Sequence, residues 1–140
     1  MAINTDFLLR CINTLESAFE HLQQREPSDE LYDIFRAASV REFEIVLEQS
    51  GRLLTKRLRP YFASNRHADK LTFKSAFRHA VKHDLITVDA CERWFDYRDN
   101  RTDTAHDYGE QFAETTLKLL PSFIDDARDL ARIIAEGTDD

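Results

Sequence analysis

NTDFLLRCINTLESAFEHLQQR, residues 4–25, places apolar side chains at Leu8, Cys11 and Ile12, Leu15, Ala18 and Phe19, and Leu22. A recurrence every third or fourth residue is the signature of one face of an α-helix. Either Asn4 or Thr5 can cap the free amides at its start. Pro27 ends it, because the residue ahead of a proline is pushed out of the helical region. The stretch predicts one long amphipathic helix from about Asn4 to Arg25, and it sets the pattern for the chain around it.

Ser28, Glu30 and Leu31 mark a second start, and the helix that follows reaches Phe62. Its apolar stripe is Leu31, Ile34 and Phe35, Ala38, Phe43, Val46 and Leu47, Leu53 and Leu54, Leu58 and Phe62. The stripe slips near Val40–Glu42 and again at Ser50–Gly51, so a bend or break is expected at one of them. Pro60 predicts an irregular last turn. Residues 63–70 have the composition of a loop. A short third helix buries Phe73, Phe77 and Val81. Thr87 caps a fourth, with Val88, Cys91, Trp94 and Phe95 facing inward. Residues 103–119 carry Phe112, Thr116 and Leu119, with Leu120 directly after, at helical spacing. Pro121 fits the first turn of a last helix, where its missing N–H costs nothing, with Ile124, Ala127, Ala131 and Ile134 on its inner side. No segment alternates long enough to be a half-buried strand. The expected fold is all-α, an up-and-down bundle of five to six helices in a single domain over residues 1–140, its core within about 4–135.

Composition agrees. The 140 residues hold 42% hydrophobic and 32% charged side chains, which argues against disorder, and only three Gly and three Pro, few for a fold of many turns. Cys11 and Cys91 sit in apolar patterns without a CxxC pair, as buried thiols of a reduced protein do. No apolar run approaches the roughly 20 residues of a membrane span, and the N-terminus lacks the pattern of a secretory signal, so the cytoplasm is the expected address.

The net charge of -7 speaks against nonspecific binding of nucleic acid, but its distribution is uneven. Residues 52–83 hold nine basic groups (Arg52, Lys56, Arg57, Arg59, Arg66, Lys70, Lys74, Arg78 and Lys82) against Asp69. Such a block can steer a polyanion to one face. It can equally dock an acidic partner or neutralise acidic helices of its own fold. Arg52, Lys56, Arg57, Lys74, Arg78 and Lys82 are the candidate contacts for RNA or a protein.

There is no GxxxxGK[ST] loop, no HExxH, and no Gly-Ser pair ahead of Asp-x-Asp, so P-loop, zincin and nucleotidyltransferase chemistry are not carried by this chain. What stands out is YRDNRTDTAHDY, residues 97–108. Thr102 or Asp103 can cap a helix carrying His106, whose first turn would then offer amides to an anion. Arginine matches phosphate oxygens with a rigid fork of donors, and histidine moves protons near neutral pH. Together they suffice to cleave RNA without metal, the 2′-OH acting as nucleophile. The same residues serve equally well as caps and ion-pair groups between two helices.

Arg101, four residues, His106, one residue and Tyr108 resemble the Arg-x4-His-x-Tyr signature of HEPN domains. The likeness is narrower to the HepT-like group found beside minimal nucleotidyltransferases, also described as nucleotidyltransferase substrate-binding proteins. REFEIVLEQSGRLL at 41–54, FRHAVKHDLI at 77–86, Trp94 seven residues before Arg101 and LLPSFI at 119–124 resemble that group in order. The resemblance implies a helical homodimer with the motif at its interface, acting as a metal-independent endoribonuclease toxin without cofactor. It implies a partner antitoxin nucleotidyltransferase with Gly-Ser, about ten residues, then Asp-x-Asp. The alternative within the same resemblance is a non-catalytic substrate-binding subunit of a two-component nucleotidyltransferase. It implies that Arg101 contacts the phosphate, that His106 transfers a proton, and that Tyr108 lies beside them and resembles a tyrosine the partner modifies with AMP. Where relatives usually have Asn after the motif arginine, this chain has Thr102, a hydroxyl with less reach. Asn100, Arg98 and Asp103 are candidate supporting residues.

Overall fold

A computed structural model describes residues 1–106 and 110–139, with side chains described outside 102–112. It contains α1 (Asp6–Gln23), α2 (Glu30–Leu58) followed by a 3-10 turn (Arg59–Tyr61), α3 (Asn65–Asp69), α4 (Phe73–Lys82), α5 (Val88–His106) and α6 (Glu110–Ala135). Among the described residues there is no strand, only an isolated bridge between Ala2 and Thr138. No described helix is long and apolar enough to cross a membrane.

Helix α1 starts where the sequence places it. Asn4 Oδ1 accepts from the Asp6 amide at 2.9 Å, so Asn4 rather than Thr5 supplies the side-chain cap. Leu8, Cys11, Ile12, Leu15, Ala18 and Leu22 are buried, as their spacing requires. Asp29 opens α2 by accepting from Leu31 N at 2.9 Å. Acidic Glu30 and Asp33 in its first turn and basic Lys56 and Arg57 in its last both suit the helix dipole.

Helix α2 is the axle of the bundle, packing against α1, α6, α4, α3 and α5. It runs unbroken through Val40–Glu42 and Ser50–Gly51, contrary to expectation. At Gly51 the reason is packing: a Cβ there would stand 2.7 Å from Phe73 Cδ2, so the glycine makes room for a ring rather than for a turn. The inward face of the first turns is also rotated from the predicted stripe. Tyr32, Phe35, Ser39 and Phe43 point in, while Leu31 is exposed and Ile34 is 56% exposed. Tyr32 Oη donates to Glu114 Oε1 of α6 at 2.8 Å and Phe35 stacks on His21 of α1, contacts that fix this rotation.

The expected loop at 63–70 contains α3, which Ser64 caps by accepting from His67 N at 3.2 Å. Pro121 does not open a helix; it lies inside α6. Thr116, Leu117, Leu120, Phe123, Ile124 and Ala127 are buried on both sides of it, and this burial outweighs the one backbone hydrogen bond a proline removes. Helix α4 closes with Asp84 at φ 59°, Leu85 N donating to Ala80 O and Asp84 N to Val81 O, the double-bonded end that reverses the chain.

The core centres on aromatic rings. Phe77 stacks on Trp94 at 4.9 Å, and Phe123 meets Phe43, Trp94 and Tyr97 edge-on at 4.7, 5.6 and 4.9 Å. Such edge contacts add to the burial of apolar area. Near the chain ends, buried Ile3 donates its amide to Gly137 O and Asp139 N donates to Met1 O.

Candidate functional site

Thr87 caps α5 through its Oγ1, which accepts from Ala90 N at 3.1 Å, as the sequence suggests. The inward face then runs Cys91, Trp94, Tyr97 and Asn100, all buried. Because that stripe continues into the polar stretch, the helix does too. Its backbone passes through Thr102 and Asp103, so no helix starts at either, and His106 does not sit in a first turn with free amides. That expectation is corrected. Positions 101 and 106 lie on one helix, about 140° apart around its axis.

Tyr97 and Asn100, both within the polar stretch, are buried and tie α5 to α6. Tyr97 is 1% exposed; its hydroxyl donates to Asp126 Oδ2 at 2.6 Å and lies 2.9 Å from Ser122 Oγ. Burial, and then the bond to Asp126, push its phenol well above the usual range. Arg93 closes the network with two bonds to Asp126, at 2.8 and 2.9 Å, and that pairing holds its guanidinium firmly protonated. Asn100 Nδ2 donates to Thr116 Oγ1 at 2.8 Å, tying α5 to α6.

Arg101 is different. Its side chain, 26% exposed, faces two carboxylates of α2, with Nε 3.8 Å from Glu44 Oε2 and Nη2 3.8 Å from Glu48 Oε1. Those distances are attractive but too long for hydrogen bonds. Its Nε is buried and donates to no partner among the described residues. A buried cationic donor without a partner is open to an anion or a water, and Arg25 Nε is in the same condition. Glu44 and Glu48 stand one turn apart on α2, and no sequence motif marked them as the neighbours of Arg101. The side chains of Thr102, Asp103 and His106, and Tyr108 altogether, lie outside the described residues.

The basic block divides into two sets. Lys56 pairs with Asp139 at 3.1 Å, Arg59 with Asp69 at 2.9 Å and Lys74 with Asp99 at 2.8 Å. Arg57 Nε donates to Ile133 O at 3.2 Å, closing the end of α6, so it is a tie within the bundle rather than an open contact. Arg78 and Lys74 lie over Phe95. Part of the block therefore neutralises the acidic remainder of the fold. Arg52 and Lys82 are exposed, and Arg98 lies over Phe73 at 5.3 Å. Among the described residues no three His, Cys, Asp or Glu side chains are grouped to hold a metal ion.

The family described as "Nucleotidyltransferase substrate binding protein like" matches residues 6–136. The chain belongs to that family. The family match spans α1 to α6, so it covers both the core and the turn of α5 that carries Arg101. A Haemophilus influenzae protein named "Probable ribonuclease HepT" is 26% identical over 125 residues, covering 81% of this chain and 84% of the relative. The fold is shared with a solved H. influenzae protein described as having the fold of a substrate binding domain of a nucleotidyltransferase: TM-score 0.80, 24% identity, 94% of this chain and 98% of that one. A solved Thermus thermophilus protein has the same fold at a TM-score of 0.64 and 22% identity, over 85% and 98% of the two chains.

Proposed function

We propose that this member of the family is a metal-independent endoribonuclease that acts as a homodimer, the toxin of a pair whose antitoxin is a minimal nucleotidyltransferase. The observation that carries the reading is Arg101, a half-buried guanidinium whose Nε has no hydrogen-bond partner among the described residues and whose contacts there with Glu44 and Glu48 are long. A phosphodiester supplies the short, charge-assisted bonds those carboxylates do not make. The name of the H. influenzae relative supports the same chemistry.

The chemistry balances with two imidazoles. One His106 removes the proton from the ribose 2′-OH, and the oxygen attacks phosphorus. Arg101 holds the charge that builds on the non-bridging oxygens. The bond to the 5′-oxygen breaks, and a protonated His106 gives that oxygen its proton, leaving a 2′,3′-cyclic phosphate and a free 5′-OH. Since positions 101 and 106 diverge by about 140° on one helix, a symmetric pair of chains is the simple way to surround one phosphate with both kinds of group. AMP on Tyr108 would repel that phosphate, which explains silencing by the partner.

Purified protein incubated with mixed cellular RNA in EDTA should cleave it, and Arg101→Ala and His106→Ala should each lower the rate about 100-fold or more. Light scattering should give twice the chain mass of 16.4 kDa. Undiminished cleavage by both variants would remove these residues from the mechanism. The family description favours a second reading, a non-catalytic subunit that binds substrate for a nucleotidyltransferase. Co-purification of a small catalytic protein, with RNA left intact by either one, selects it.

A further inference from the structure

Next to Arg101 the surface opens into a groove of about 380 Å³ between α2, the α3–α4 connection and α5. Glu48, one of the two carboxylates that face Arg101, also lines it, so the groove and the candidate phosphate position are contiguous. Leu71 and Phe73 give it apolar surface, and Arg52, Thr55 and Arg98 add polar groups. Phe73 is held in place because Gly51 leaves room for its ring against the α2 backbone. The Arg98 guanidinium lies over that ring, its Cζ 5.3 Å from the centroid. A second hollow of about 430 Å³ shares Arg52, Thr55 and Asp69 and continues along α2 to Lys56 and Arg59.

We infer that this groove takes one nucleotide of single-stranded RNA beside the cleaved phosphate, its base stacked on the Arg98–Phe73 layer and its phosphate drawn by Arg52. The inference rests on the ribonuclease reading and adds to it the form of the substrate. Unpaired bases stack on aromatic rings and on guanidinium planes, and here the two are layered. Arg52 is exposed and forms no ion pair among the described residues, whereas Lys56, Arg59 and Lys74 nearby are already matched by carboxylates. Position 52 is one turn along α2 from Glu48, about 6 Å, a reach that a single nucleotide spans. A duplex would present no open base face to this layer, so the substrate is a loop, a bulge or an unpaired end.

The test is fluorescence anisotropy of a 5′-labelled single-stranded RNA with the His106→Ala chain, which retains the groove and should not cut. Adding Arg98→Met should weaken binding about 10-fold. Adding Arg52→Gln should weaken it about 5-fold and lower the salt slope by about one ion. Circular dichroism checks that both variants fold. An abasic scan of the RNA gives a sharper readout: one position should cost about 10-fold with the parent chain and nothing further once Arg98 is Met. Equal affinity of both variants for RNA, with no sensitive abasic position, overturns the groove while leaving the ribonuclease reading intact, and assigns the face to something other than RNA. Absence of RNA binding by the parent, together with absence of cleavage by the wild-type chain, overturns both.

Discussion

Tyr97 opens a strongly polar twelve-residue stretch, yet it is one of the most buried side chains in the fold. In sequence it is indistinguishable from a site residue, because tyrosine next to Arg98, Asp99 and Arg101 fits either role. The stripe through Cys91 and Trp94 was the available signal, since three more residues bring the inward face to Tyr97. Its partner Asp126 gave no sign of its role, because a charged residue on a predicted amphipathic helix reads as solvent-facing. Removing the hydroxyl leaves Asp126 with Arg93 but deprives a buried carboxylate oxygen of its 2.6 Å donor. Tyr97→Phe should therefore cost about 1–2 kcal/mol in urea unfolding, with the helical spectrum unchanged. A variant as stable as the parent would show that the bond is replaced by water. Arg101 is the opposite case: its place in the motif was legible from spacing, but the carboxylates it faces, Glu44 and Glu48, lie more than fifty residues earlier, and no local pattern encodes that.

At the scale of elements, the sequence was most reliable where one apolar face repeats, as in α1, and least where a single residue carried the decision. Gly51 and Pro121 are both helix breakers by propensity, and both lie inside helices because tertiary burial outweighs propensity. In the corner formed by the 3-10 turn, α3 and α4, the irregular turn at Pro60 and the short helix were legible, but α3 and the ring contacts that join the three were not, since no periodic pattern encodes which rings meet. Phe62 meets His79 edge-on at 4.9 Å and His67 at 5.3 Å, and Tyr61 stacks on His83 at 3.9 Å. Burial, then Lys82, His83 and His67, hold the His79 imidazole below its ordinary value of 6.5. A histidine with a depressed folded value contributes stability above its unfolded value, and that contribution is lost as the pH falls through the folded one. The urea midpoint should accordingly drop between pH 7 and pH 5, and His79→Gln should flatten that part of the profile. Glu16, held low by its bond to Arg128, acts only below its ordinary 4.5, so the two windows separate. A slope above pH 5 that survives His79→Gln would place the acid sensitivity elsewhere.

For the molecule as a whole, the bundle was legible from amphipathic period alone, while the way α2 joins its parts was not, since no sequence states which helix is central. One continuous cluster runs from Ile3 and Leu8 through Phe43, Leu54 and Phe77 to Trp94, Phe123 and Ile134, drawing on α1, α2, α4, α5 and α6. A core shared by five helices and crossed throughout by α2 predicts that no helix pair opens alone. The two thiols can measure this, because Cys11 on α1 and Cys91 on α5 probe different parts of the cluster. Burial raises both thiol pKa values, with Glu42 adding to the effect at Cys11 and Arg78 opposing it at Cys91, so neither reacts from the closed state. Alkylation of the native protein should be at least about 10³-fold slower than of the unfolded chain at both positions. Across a urea series, site-resolved mass spectrometry should give the two cysteines the same opening free energy, equal to that of global unfolding by circular dichroism. Labelling of Cys11 at urea concentrations where the helical signal is still native would mean that α1 detaches from α2 as a separate unit, and the shared core would then be two cores in contact.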